Sequence, residues 1–384
     1  MIMKKLIIVF FSLLIFYNET SAQEFKFLLD EQLSSKLISD IYQDSDGFLW
    51  ISTDNGLNRF DGNKVKSYNH DESDSLSLCH NIVIGTFEDH NGDLYVGNYL
   101  GIQLYNKATD NFSKKAVREN GDPFEETVNG FCELPDGTLC SFGDNTWKIT
   151  NKNGQPIIER LEWDINTSSI FRIACDNQNN IWALKRDVGL YKIRNGKSRF
   201  ICEFNNDEFY TYDFRLVNGI VYIITVDNDI YHYDSDSDKI VKVNKGPISK
   251  ASIRDIIQYD ENNLLVCTDG NGFKIVNRIT GDVSEFYLNI PLLTSNHLKI
   301  HKAIRDQFGN LWLGLYQKGV AVISATQNAF GYIGYKSLLN NIIGNSTTSA
   351  ICKDKTGNIW VGTDGDGIYR MNNDATESVH FPSH

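Results

Sequence analysis

With 384 residues, of which 41% are hydrophobic and 12% aromatic, the chain can bury a large core, which excludes a disordered protein and leaves one large domain or two smaller ones. A net charge of −12 without any basic run excludes nucleic acid and anionic membrane surfaces as partners. No metal-ligand spacing, phosphate loop, GxSxG elbow or HExxH motif is present, so neither cofactor nor metal is expected.

In chain order, residues 1–22 read as an export signal. Lys4-Lys5 precede the apolar run Leu6 to Phe16, and Thr20-Ser21-Ala22 offer small residues ahead of a cut before Gln23. Eleven apolar residues are short against the roughly 20 that cross a bilayer. Loss of Lys4, Lys5 and Glu19 takes the charge from −12 to −13, and no membrane insertion is expected after the cut. Phe25 to Leu29 then form an orphan strand before the first full unit, suited to completing the last sheet of a closed ring.

That unit runs from Ile38 to Tyr68. Short apolar runs alternate with the turns Asp44-Ser45-Asp46-Gly47, Asp54-Asn55-Gly56 and Asp61-Gly62, which predicts a four-stranded meander because Gly accepts the positive φ of tight turns. Weaker copies align on Trp50, Tyr95, Cys140, Trp182, Tyr222, Leu265, Trp312 and Trp360, spaced 45, 45, 42, 40, 43, 47 and 48 residues apart. A period in the forties with four strands per unit predicts an all-β fold, a β-propeller. Eight copies fit a seven-bladed propeller at residues 23–335 followed by the first blade of a second at 336–384, or else a single eight-bladed ring.

The fixed phase of Trp50, Trp182, Trp312 and Trp360 assigns them to packing between blades. Asp44-Ser45-Asp46-Gly47 and Asp364-Gly365-Asp366-Gly367 lack the remaining ligands of a calcium loop and read as turns. Cys132 and Cys352 lie eight before the aromatic position and are expected as buried free thiols, since seven dispersed cysteines do not suggest a disulfide framework.

Ten residues before the aromatic, the start of each first strand carries Asp40, Gly85, Gly130, Arg172, Tyr212, Asp255, Lys302 and Ala350. Variable polar residues there would ring the mouth of a central channel. The loop between second and third strands shares that face and supplies Asp54, Tyr99, Arg186 and Tyr316. The candidate ligand-binding residues are therefore Asp40, Asp54, Tyr99, Arg172, Arg186, Tyr212, Asp255, Lys302 and Tyr316, a set suited to an oligosaccharide.

The segments Gln43 to Phe60 and Asp354 to Ile368 resemble the two-component regulator propeller repeat, D-x-x-G-x-[IL]-W-[IV]-G-T-x-x-G-[IL]. From Gln23 onward the chain is similar to the N-terminal sensor region of Bacteroidetes hybrid two-component systems. The resemblance implies a periplasmic, non-catalytic sensor that binds a glycan-derived oligosaccharide and relays to a histidine kinase absent from this chain. It also implies association with a second copy, and a sensor region truncated within its second propeller. A secreted lyase or glycosidase acting on polysaccharide is the alternative, since lyases of the virginiamycin type share a similar repeat. The scattered His80, His232, His297 and His301 do not fall in one repeat phase, which weighs against it.

Overall fold

The computed structural model describes residues 25–27, 32–203, 211–286, 297–325, 343–344, 347–373 and 377–383. The expected export signal and the expected boundary at 335/336 lie outside them. The described residues form strands and turns with no α-helix, and they divide into two compact units, described separately.

The larger unit holds seven sheets. Sheet 1 is a meander of Ile38–Gln43, Leu49–Thr53, Gly56–Phe60 and Val65–Tyr68. The next six sheets begin with Val83–Glu88, Val128–Glu133, Ile170–Cys175, Thr211–Val217, Ile253–Gln258 and Ile300–Arg305. Each of these first strands packs on the next, and Ile300–Arg305 packs back on Ile38–Gln43, so the seven sheets close into a ring. Phe25–Phe27 pairs antiparallel with Gly319–Ile323 and supplies the fourth strand of sheet 7. The earliest and latest strands of the unit are thereby joined, and the ring has no loose end. Sheet 3 departs from the meander, because Val117–Arg118 adds a fifth strand parallel to Gln155–Arg160.

The core lies between neighbouring sheets. Ile38, Ile41 and Ile51 of sheet 1 pack with Trp312, Val320 and Val322 of sheet 7, while Trp50 and Leu57 pack with Leu94, Val96 and Phe112 of sheet 2. Second strands such as Leu49–Thr53 and Leu94–Asn98 are buried throughout, because both faces meet a neighbouring sheet.

Two local devices recur among the sheets. At the turn after the first strand, Asp44, Asp176 and Asp306 accept the indole N–H of Trp50, Trp182 and Trp312 at 2.7, 2.8 and 2.8 Å. Their other carboxylate oxygen accepts the backbone N–H of Phe48, Asn180 and Asn310. At the loop after the second strand, Thr53 and Thr268 donate to the carbonyls of Gly56 and Gly272 at 2.8 Å. Gly56 has φ +122°, and a Cβ there would meet the Tyr68 carbonyl at 2.6 Å, so the loop admits glycine alone.

The second unit contains one described sheet, Thr348–Lys353, Ile359–Thr363, Ile368–Met371 and Ser378–Phe381. Trp360 again donates to Asp354, at 2.9 Å. Every residue of Thr348–Lys353 is exposed, so Cys352 is not the buried thiol expected of it. The sequence pattern places Cys352 on a strand that needs a neighbouring sheet for cover, and the described residues of its unit provide none. Cys132 is buried as expected.

Candidate functional site

The first strand of every sheet in the larger unit carries a β-bulge near its start. In sheet 7, Ile300 faces Leu315 and Lys302 faces Gly314, leaving His301 without a residue opposite. The same shift leaves out Ser39, Ile84, Asn129, Phe171, Tyr212 and Arg254 in sheets 1 to 6. A bulge re-aims its extra residue, and here it does so at one end of the ring. The loops after the second strands share that end. Asp54, Tyr99, Arg186, Asp269 and Tyr316 each donate a backbone N–H to the residue preceding a first strand: Leu37, Ile82, Ser169, Ser252 and Lys299.

Just below the bulges runs a line of ion pairs. Arg172 of sheet 4 holds Asp213 of sheet 5 through Nε at 2.7 Å and Nη2 at 3.1 Å. Arg215 bonds Asp213 at 2.5 Å and reaches Asp255 of sheet 6 at 2.7 Å. Asp255 also accepts the backbone N–H of Ala303 in sheet 7 at 3.0 Å, and Lys302 crosses to Asp40 of sheet 1 at 2.8 Å. The line therefore passes every boundary from sheet 4 round to sheet 1. In sheets 2 and 3 the same register position is Gly85 and Gly130.

Charges in this line fix one another's protonation. Burial alone would raise the Asp213 carboxyl, but Arg215 and Arg172 outweigh it and bring it to about 2. Burial works against the Lys302 ammonium, yet Asp40 and Asp255 hold its pKa above the ordinary lysine value.

The candidate residues thus separate into two groups. Asp40, Arg172, Asp255 and Lys302 lie in the ion-pair line and spend their polar atoms on neighbouring sheets. Asp54, Tyr99 and Arg186 are exposed on the loops, with Tyr99 51% exposed beside His80 at 5.5 Å. Tyr316 is half-buried, its ring set 4.9 Å from His301 and 5.3 Å from the Lys299 ammonium. The side chain of Tyr212 falls outside the described residues.

The position assigned to Tyr212 is corrected by the register. Asp213, not Tyr212, occupies the place of Asp40 and Asp255, pairing two residues beyond the aromatic, opposite Ile224. The cause is the turn. Val217 pairs directly with Ile220 around Asn218-Gly219, whereas Gln43 pairs with Leu49 around a five-residue turn. Counting ten residues back from Tyr222 across the shorter turn therefore goes one residue too far.

Sequence reasoning missed a cluster between sheets 6 and 7. Asp269 takes Arg254 Nε at 3.2 Å, while Lys299 Nζ and His301 Nε2 both stand 3.5 Å from its Oδ1. Phe171 was also missed, and the guanidinium of Arg186 lies 5.6 Å above its ring. A signal for Asp269 existed, since Thr268-Asp269-Gly270-Asn271-Gly272 keeps the Thr and Gly of the loop although Leu265 has replaced the Trp. Burial and Arg254 lower the His301 pKa, with Asp269 opposing them. Arg254 outweighs burial to lower that of Asp269. Together these side chains present aromatic rings and paired hydrogen-bonding groups at one end of the ring. They are suited to holding a polyhydroxylated molecule, and no group of His, Cys, Asp and Glu among the described residues could hold a metal ion.

A family model described as the two component regulator propeller matches residues 32–55 and 341–365. The chain carries two-component regulator propeller repeats. The first match spans the opening strands and first loop of sheet 1, which explains the repeat physically: Asp for the turn and the indole, Thr and Gly for the loop.

No curated protein matches the sequence. Among solved structures, the repeat-bearing chain is similar to the extracellular domains assigned to two hybrid two component systems of B. thetaiotaomicron. One has a TM-score of 0.65 at 20% identity, covering 94% of this chain and 49% of that one. The other has 0.60 at 20%, covering 93% and 47%. The chain thus spans about half the length of these relatives. A virginiamycin B lyase from Staphylococcus aureus follows at 0.59 and 15%, covering 79% of this chain and 100% of the lyase. These are likenesses of fold, a propeller shared with extracellular domains of two-component systems and with an enzyme. No helix among the described residues is long and apolar enough to cross a membrane.

Proposed function

We propose that this chain is the ligand-sensing region of a hybrid two-component system, exported to the periplasm, and that it binds a glycan-derived oligosaccharide across the bulge end of the ring. Signal then passes to a histidine kinase. The observation that carries the reading is a separation of roles: ion pairs between first strands tie the sheets together, while the loop residues Asp54, Tyr99 and Arg186 at the same end stay exposed. Tyr99 offers a ring face for the apolar side of a sugar, and Arg186 and Asp54 offer donors and acceptors for its hydroxyls. The repeats and the fold shared with sensor domains support it.

Calorimetric titration of the protein with a panel of oligosaccharides tests this. Saturable binding to one member, weakened about tenfold or more by Tyr99→Ala or Arg186→Ala at unchanged stability, is the expected result. Turnover of any panel member, or binding indifferent to both substitutions, overturns the reading.

A further inference from the structure

Three cysteines gather where sheets 3 and 4 meet. Cys132 lies near the end of Val128–Glu133, Cys140 faces it on the adjacent strand, and Cys175 ends Ile170–Cys175. Cys132 and Cys140 are buried and Cys175 is half-buried; all are thiols. The Sγ atoms of Cys132 and Cys175 are 3.5 Å apart, on first strands that pack on each other.

We propose that Cys132 and Cys175 are a redox-active pair that closes to a disulfide across sheets 3 and 4 on exchange with a disulfide donor. The bond needs the sulfurs to close to about 2.05 Å, a movement of about 1.5 Å from where they stand. The chemistry balances by exchange. The half-buried Cys175 thiolate attacks the donor disulfide, forms a mixed disulfide and expels one donor thiol. Cys132 then loses its proton, attacks Cys175 Sγ and expels the second donor thiol, so that two protein thiols are oxidised and one donor disulfide is reduced. Burial of Cys132 makes the second step the slow one.

The location gives the bond a purpose. The ion-pair line that joins sheets 4, 5, 6, 7 and 1 does not reach this boundary, because Gly130 holds the corresponding place in sheet 3. A disulfide here would add a covalent tie to that part of the ring, closing a loop of 44 residues counted from Cys132 to Cys175.

The test is peptide mapping of the purified, reduced protein after incubation with oxidised glutathione. The expected product is one Cys132–Cys175 linkage, two hydrogens lighter than the free peptides, with Tm raised by about 5 °C. Cys140→Ser should leave the linkage intact, and Cys132→Ser should leave glutathione on Cys175. Three outcomes overturn the proposal: Cys132 still open to alkylation while Cys175 carries glutathione, Cys140 in place of either partner, or no reaction of these thiols short of unfolding. The wild-type map alone decides the matter if either variant fails to fold.

Discussion

Trp312 donates its indole N–H to Asp306 Oδ2 across 2.8 Å, and Asp306 Oδ1 accepts the backbone N–H groups of Phe308 and Asn310. One carboxylate therefore closes a turn and orients the ring that fills the space between sheets 7 and 1, where Trp312 is 5% exposed. Removing it strands a buried indole donor. Asp306→Ala should destabilise the protein by about 2 kcal/mol, read from the midpoint of chemical denaturation. Adding Trp312→Phe should cost less than it does in the wild type, because the orphaned donor disappears with it.

Arg215 touches two buried carboxylates, Asp213 at 2.5 Å and Asp255 at 2.7 Å. Arg215→Met leaves both without their shared cation and should cost about 3 to 5 kcal/mol. Arg172→Met should cost clearly less, since Asp213 retains Arg215. Equal losses from the two substitutions, measured by denaturant titration, would contradict the central role given to Arg215.

Acid should act through the same line. The folded pKa of Asp213 is about 2, below the ordinary aspartate value of about 3.9. A depressed carboxylate contributes stability that is complete above the unfolded pKa and lost as pH falls toward the folded one. Stability should therefore decline between about pH 4 and pH 2. Asp213→Asn should flatten that decline, as thermal melts across the range would show.

Glycines in the first strands carry steric demands that differ in kind. A Cβ on Gly130 would stand 2.6 Å from the Phe142 ring, whereas one on Gly85 would stand 3.2 Å from Asp40 Oδ2. The ring is packed in the core and the carboxylate can swing. Gly130→Ala should lower Tm more than Gly85→Ala, the former costing about 1 to 3 kcal/mol. The reverse order would show that the Asp40–Lys302 contact resists displacement more than the core does.

Tyr99 and Tyr316 occupy the same kind of loop with different freedom. Tyr99 is 51% exposed, while Tyr316 is flanked by His301 and Lys299. For any oligosaccharide that binds, Tyr99→Ala should weaken affinity more than Tyr316→Ala in calorimetry, because only the first ring has a face open for stacking.

Much of the scaffold is legible in the chain. Asp44, Gly47 and Trp50 announce a turn, and their recurrence announces a ring of sheets, because turn chemistry and core aromatics are local requirements. What cannot be read locally is partnership. Asp40 and Lys302 are 262 positions apart and meet only because the ring closes, so both look like free polar residues in the sequence. The bulges do leave a trace: buried Ile38 and Ile41 stand three apart where strand alternation would put them two apart, a slip of one residue at Ser39 that is easily read as ordinary variation. Sheet 5 misleads for a third reason, a two-residue turn that shifts the count onto Tyr212 in place of Asp213.

The bulges have a consequence for how such a protein can change. Ser39, Phe171, Arg254 and His301 have no residue opposite them in the strand register, so exchanging one of these side chains leaves the backbone pairing of its sheet as it was, although Arg254 and His301 also serve Asp269. On the proposed reading, specificity would then be rewritten one sheet at a time, seven letters on a frame whose strand pairing stays untouched.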